Sequence, residues 1–222
     1  MIISINNKKI IFVHIPKTGG TSIEHFFGLS IENNVPNKQN LFGLFIKNDK
    51  QLYYQHLTIN EILEFDHCNN YDFCFSIVRN PYDRAISEYN FLIGTESISF
   101  SFDDFLNLII LDPNGGYNGI GNHFMPQYKF VCDHDERIIV DKIFKFENFD
   151  SIFEYLKKEF DFLKNKNNTK TNVSPKIMTR KNLSKNNIDL INHIYAKDFE
   201  IFNYEKMQVN NDVEFLLKHQ NL

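Results

Sequence analysis

Residues 11–27, IFVHIPKTGGTSIEHFF, restrict the fold more than any other stretch of the chain. An apolar, β-branched run over residues 8–15 reads as a buried strand. It stops at Pro16, and Lys17, Thr18, Gly19, Gly20, Thr21 and Ser22 follow before Ile23, Phe26 and Phe27 recur at helical spacing. A helix start exposes unpaired N–H groups and carries partial positive charge. Adjacent glycines let those groups converge on an anion, Lys17 adds a full charge, and Thr18, Thr21 and Ser22 offer hydroxyls. Strand, cation, Gly-Gly, Thr-Ser and helix together make a phosphate- or sulfate-binding device. The alternative is a glycine turn beside a surface lysine. The order differs from G-x-x-x-x-G-K-[ST], because here the lysine precedes the glycines and no glycine opens the loop.

The rest of the chain places that device in an α/β fold. Apolar runs at residues 51–56, 73–78 and 142–146 read as strands. Residues 57–65, LTINEILEF, read as a short helix with Thr58 as N-cap and Glu61 as its capping-box partner. Asn80 and Pro81 suit the start of a helix whose buried face carries Tyr82, Ala85, Ile86, Tyr89 and Leu92. Further helices are expected at residues 102–110, 149–160 and 187–202. This alternation predicts a three-layer, P-loop-like fold, a central and mostly parallel sheet flanked by helices. Ligands of such sheets bind at the carboxyl ends of the strands, so the loops after Ile15, His56 and Val78 are the candidates. A length of 222 residues fits one domain, 1–222, with the irregular stretch 95–132 as an insertion or lid on the acceptor side.

A net charge of −4 argues against a nucleic-acid partner, though a few focused cations still suit a small anion. Cys68, Cys74 and Cys132 are odd in number and lack CxxC spacing, which fits a reducing compartment and a cytoplasmic location. No apolar run is long enough to span a bilayer, so stable membrane insertion is not expected. The His and Cys spacings offer no zinc pattern and no paired Asp suggests magnesium, so no metal is expected.

FVHIPKTGGTSIE resembles the 5′-phosphosulfate loop of the sulfotransferases that modify glycans, the group of heparan-sulfate 2-O- and chondroitin-type enzymes. That resemblance implies 3′-phosphoadenosine-5′-phosphosulfate (PAPS) as donor and PAP as product. Pro16 through Ser22 would hold the phosphosulfate. FSIVRNPYDRAISEY resembles the 3′-phosphate motif of the same family, with Arg79 at a strand end and Ser87 on the next helix. Arg supplies bidentate, charge-assisted bonds to phosphate and Ser a neutral donor. Arg84 is expected to pair structurally, with Asp83 or Glu88.

His56 matches the family segment in which a histidine after the second strand is the general base, a role suited to a near-neutral pKa. Lys17 would stabilise charge on the leaving oxygen. His123 and Gln127 match an H…pQ segment and would line the acceptor pocket, which the resemblance assigns to a carbohydrate. His14 and His25 read as structural. Glu147 and Asn148 would shape the sheet end. Residues 170–175, KTNVSP, resemble a loop that lies over the nucleotide. A tyrosine that many relatives carry just after it is missing here, and Lys176 or Arg180 could substitute. Competing readings are a P-loop kinase or nucleotide hydrolase, disfavoured by the missing G-K-[ST] and magnesium carboxylate, and a non-catalytic binding protein.

Overall fold

The computed structural model describes residues 1–29, 37–47, 50–95, 99–116, 121–168 and 176–208. A four-stranded sheet runs in the order β1 (Ile2–Ile5), β2 (Lys8–Val13), β5 (Phe73–Val78), β6 (Lys142–Lys145). β1 is antiparallel to β2, while β2–β5 and β5–β6 are parallel. The fold is therefore α/β, with a mostly parallel central sheet flanked by helices, as the alternation predicts. β2 and β5 are continuous apolar runs because both sheet faces are covered. On one face Ile10, Phe12, Phe75, Ile77 and Phe144 pack against α1 (Gly20–Phe27) and α6 (Phe149–Glu159) through Ile23, Phe26, Ile152, Phe153 and Leu156. On the other, Ile11, Val13, Cys74 and Val78 meet α2 (Ile59–Leu63) and α5 (Tyr128–Val131). A third cluster joins α3 (Pro81–Thr95), α4 (Phe102–Leu111), α7 (Lys185–Ile194) and α8 (Ala196–Ile201).

Local rules hold at the helix starts. Thr58 and Glu61 form the expected capping box, and the Asn80 side chain accepts from the Tyr82 amide at 3.1 Å, with Pro81 as first residue of α3. Two expectations need correction. The run at residues 51–56 is not a strand of the main sheet. β3 (Leu44–Lys47) and β4 (Lys50–Tyr53) form a separate antiparallel hairpin, and Tyr54–His56 is a 3-10 turn. A continuous helix over 187–202 is likewise replaced by α7 and α8, divided at Tyr195 (φ −109, ψ 28). The Tyr195 hydroxyl donates to the Phe124 carbonyl at 3.2 Å, tying the break to the adjoining segment. Among the described residues, no helix is long and apolar enough to cross a membrane.

Candidate active site

A cavity of about 900 Å³ opens where β2 and β5 end, lined in part by Lys17, Gly19, Gly20, His56, Arg79 and Ser87. Its floor is the β2–α1 turn. Lys17 adopts a left-handed backbone (φ +67), as does Gly19 (φ +84), the N-cap of α1. A non-glycine residue in that region is uncommon, and such strain collects at functional sites. A Cβ on Gly19 would stand 2.7 Å from the Phe149 ring, and one on Gly20 would stand 2.0 Å from the His14 ring. Packing thus favours glycine at both positions and the left-handed turn requires it at Gly19, and together they leave the first turn of α1 open to the cavity. Thr18 departs from expectation. It is buried, and its hydroxyl donates to the Ile15 carbonyl at 2.8 Å instead of lining the cavity. Pro16, Thr21 and Ser22 do line it.

Arg79 follows β5. Its Nη1 donates to the Lys17 carbonyl at 3.1 Å, and its guanidinium lies 4.3 Å from the centroid of Phe146. Burial pulls its pKa below the usual guanidinium value. Its Nε is buried with no hydrogen-bond partner among the described residues. An unpartnered buried donor calls for an acceptor, and an anion in the cavity is the chemical match. Ser87, two turns along α3, lines the same cavity.

Gln127 was expected on the wall; it is fully buried behind it. Its side chain accepts from the Arg79 amide and donates to the Arg79 carbonyl, each at 2.8 Å. Buried Asp198 accepts in turn from the Gln127 and Tyr128 amides. A planar amide that satisfies both main-chain groups of one residue fixes that residue's peptide planes. Arg84 also differs from expectation. Its hydrogen bonds go to main-chain carbonyls, Nε to Pro16 at 3.1 Å and Nη2 to His123 at 2.9 Å. Asp83 instead takes a bidentate pair from Arg180, 2.6 Å at each bond. Lys176 and Arg180 both line the cavity, with Arg180 already engaged. The side-chain amide of Asn90 holds both main-chain groups of Met178, at 2.8 and 2.9 Å, which draws that wall over the cavity. The loop at residues 170–175 lies outside the described residues. Glu147 accepts from the Asn80 amide at 2.7 Å and from the Tyr204 hydroxyl at 2.8 Å, bracing the end of β5 as expected.

Across the cavity three imidazoles meet. The rings of His14 and His56 are 4.5 Å apart, and those of His56 and His123 are 5.1 Å apart, both edge-on. His56 Nδ1 lies 2.9 Å from the His14 carbonyl. A carbonyl only accepts, so Nδ1 carries the proton and Nε2 holds the lone pair. Burial first, then the neighbouring His14 and His123, hold the His56 pKa well below its ordinary value. The ring is therefore neutral near pH 7 and able to take a proton. His14 Nδ1 meets Glu24 at 2.7 Å, and His123 Nδ1 meets Glu88 at 3.0 Å.

The Lys17 ammonium sits 3.9 Å from the centroid of Phe91. Burial lowers its pKa, Glu88 raises it, and Arg79 lowers it further. Sequence reasoning missed Phe91, the buried contact of Glu88 with His123 and the cavity-facing role of His14. The spacing 84, 88, 91 on α3 was the available sign, since those positions share one helical face. The hydroxyls, cations and neutral imidazole around this one cavity suit transfer of an anionic group to a neutral hydroxyl. No curated protein matches the chain. The family model for the Sulfotransferase family matches residues 1–205, so this chain belongs to the sulfotransferase family, whose members transfer sulfuryl groups.

Proposed function

We propose that this sulfotransferase takes its sulfuryl group from PAPS and delivers it to a hydroxyl of a carbohydrate by in-line displacement. The observation that carries the reading is the meeting of Lys17, the open first turn of α1, Arg79 and a neutral His56 around a single cavity. The residues fit such a donor. The turn through Gly19 and Gly20 offers amides and positive helix charge to the phosphosulfate. Arg79, with its unpartnered Nε, and Ser87 would take the 3′-phosphate.

In this mechanism His56 Nε2 removes the proton of the acceptor hydroxyl as that oxygen bonds to sulfur. The bond from sulfur to the phosphate oxygen breaks, and Lys17 offsets the negative charge that gathers there. PAP leaves with that oxygen, and the proton stays on His56. Loose transfers of this kind gain chiefly from positioning and fixed charge, by analogy with phosphoryl transfer. The carbohydrate acceptor rests on the likeness of the H-x-P-K-T-G-G-T core to glycan sulfotransferases. We take residues 1–222 as one working unit with 95–132 on the acceptor side. A cytoplasmic setting is supported by three buried free thiols.

Thermal denaturation with PAP, ATP–Mg and GTP–Mg tests the donor. PAP at 100 times its Kd should stabilise the protein by about 2.7 kcal/mol. A response to ATP–Mg and none to PAP would replace this reading with nucleotide hydrolysis or phosphoryl transfer. Transfer of label from PAPS to a panel of glycans tests the acceptor.

A further inference from the structure

We propose that Gln127 is a positioning residue for the 3′-phosphate of the donor, acting through Arg79, whose main chain it locks at the junction of β5 and α3. This role rests on the reading that Arg79 takes that phosphate. Arg79 belongs to neither neighbouring element. The ladder with β6 ends at Val78, paired with Lys145, and α3 begins at Pro81. A main-chain N–H and C=O held away from water without ladder or helix partners must be met elsewhere. Both go to one side chain. Gln127 Oε1 accepts from the Arg79 amide and Gln127 Nε2 donates to the Arg79 carbonyl, each at 2.8 Å. An apolar side chain of the same size could fill the space, but only a group with one donor and one acceptor in a plane can satisfy both.

Gln127 is held from behind in the same way. Asp198 of α8, fully buried like Gln127, accepts from the Gln127 amide at 2.8 Å and from the Tyr128 amide at 2.9 Å, which fixes the start of α5. A buried polar chain with each group satisfied specifies one geometry. From Arg79 the constraint passes into the cavity. Its side chain leaves a fixed main chain, rests on the Phe146 ring 4.3 Å away and donates through Nη1 to the Lys17 carbonyl at 3.1 Å. Its Nε is the buried donor with no hydrogen-bond partner among the described residues. Guanidinium–phosphate bonds depend on the direction of the fork. A shift of the Arg79 main chain would therefore turn the fork away from its ligand, although Gln127 itself never meets the nucleotide.

The test compares PAP with AMP, which lacks the 3′-phosphate, by calorimetry on the full chain. The ratio of the two dissociation constants isolates that phosphate, because a loss of folded protein weakens both nucleotides alike. The wild type should bind PAP more tightly than AMP. Gln127→Met keeps the length but removes both hydrogen bonds to Arg79. It should lower the preference for PAP about 10-fold, the lower end of what a charge-assisted bond contributes, and leave AMP affinity unchanged. Asp198→Asn leaves the Gln127 side chain in place but sets an N–H against one of the two amides, and should lower the preference by a smaller factor. It carries the test if Gln127→Met does not fold. An unchanged preference in the variant that carries the test, or an AMP affinity that falls as far as that for PAP, overturns the inference. Wild-type protein that binds PAP no more tightly than AMP would instead remove the 3′-phosphate reading of Arg79, and this role of Gln127 with it.

Discussion

At the β2–α1 turn the cavity is shaped by main chain. Left-handed residues at Lys17 and Gly19 turn the backbone, and two glycines let rings pack where side chains would otherwise stand. On the opposite side it is shaped by side chains from distant segments. His56 comes from a 3-10 turn after a detached hairpin, and His123 from the approach to α5, where buried Glu88 of α3 meets its Nδ1 from behind. The first region depends on backbone geometry, which a short contiguous motif can specify. The second depends on tertiary packing that brings together residues as distant in the chain as His56 and His123. A backbone site tolerates side-chain change where no Cβ intrudes, whereas an imidazole cluster loses its chemistry when one ring is lost.

The sharpest way to break this contrast is His56→Ala. It should cut kcat by about 10²–10⁴-fold, the usual range for a general base, and leave PAP affinity unchanged. Retained turnover in a sulfation assay would move the base to His123. Arg79→Ala should act on the other term, raising the Kd for PAP about 10- to 150-fold, the equivalent of a charge-assisted bond of about 1.5–3 kcal/mol. Calorimetry with PAP checks it, and unchanged affinity would take the guanidinium out of the donor site.

Gly20→Ala probes the main-chain region directly. The added methyl meets the His14 ring, so stability should fall by about 1–3 kcal/mol by urea unfolding, as for overpacked sites. PAP affinity should fall with it. A smaller but sharper effect is expected from pH. His56 must be neutral to act, and its pKa lies below the ordinary 6.5. Turnover should therefore hold steady down through pH 6.5 and fall with unit slope only at lower pH. The stability sign follows from the same shift. Between the two pKa values the unfolded chain binds the extra proton. The contribution of His56 is thus complete above pH 6.5 and is lost as pH falls toward the folded value. Urea midpoints of His56→Gln against pH should be flatter than those of the wild type over that interval.

The two regions were not equally legible in the sequence. The turn, its glycines and the start of α3 follow from local rules, since each needs only neighbouring residues. The position of His56 was foreseen, but on a strand of the wrong sheet, because an apolar run does not reveal its hydrogen-bonding partner. Gln127 was noticed and misread. Its chemistry is directed at the Arg79 main chain, and a side-chain amide looks the same in a sequence whether it meets a ligand or a peptide group. Thr18 was misassigned for a similar reason, since its hydroxyl satisfies a local carbonyl. Glu88 was considered only as a partner for Arg84, because a carboxylate on a helix reads as solvent-facing unless its burial is known.

Arg84 joins the carbonyl of Pro16 to that of His123 through a single guanidinium. The two walls of the cavity are consequently hinged on one side chain. Energetic effects of substitutions on opposite sides should then fail to sum. A double-mutant cycle pairing Ser22→Ala with His123→Asn, repeated in an Arg84→Lys background, would measure how much of that non-additivity passes through the shared rivet.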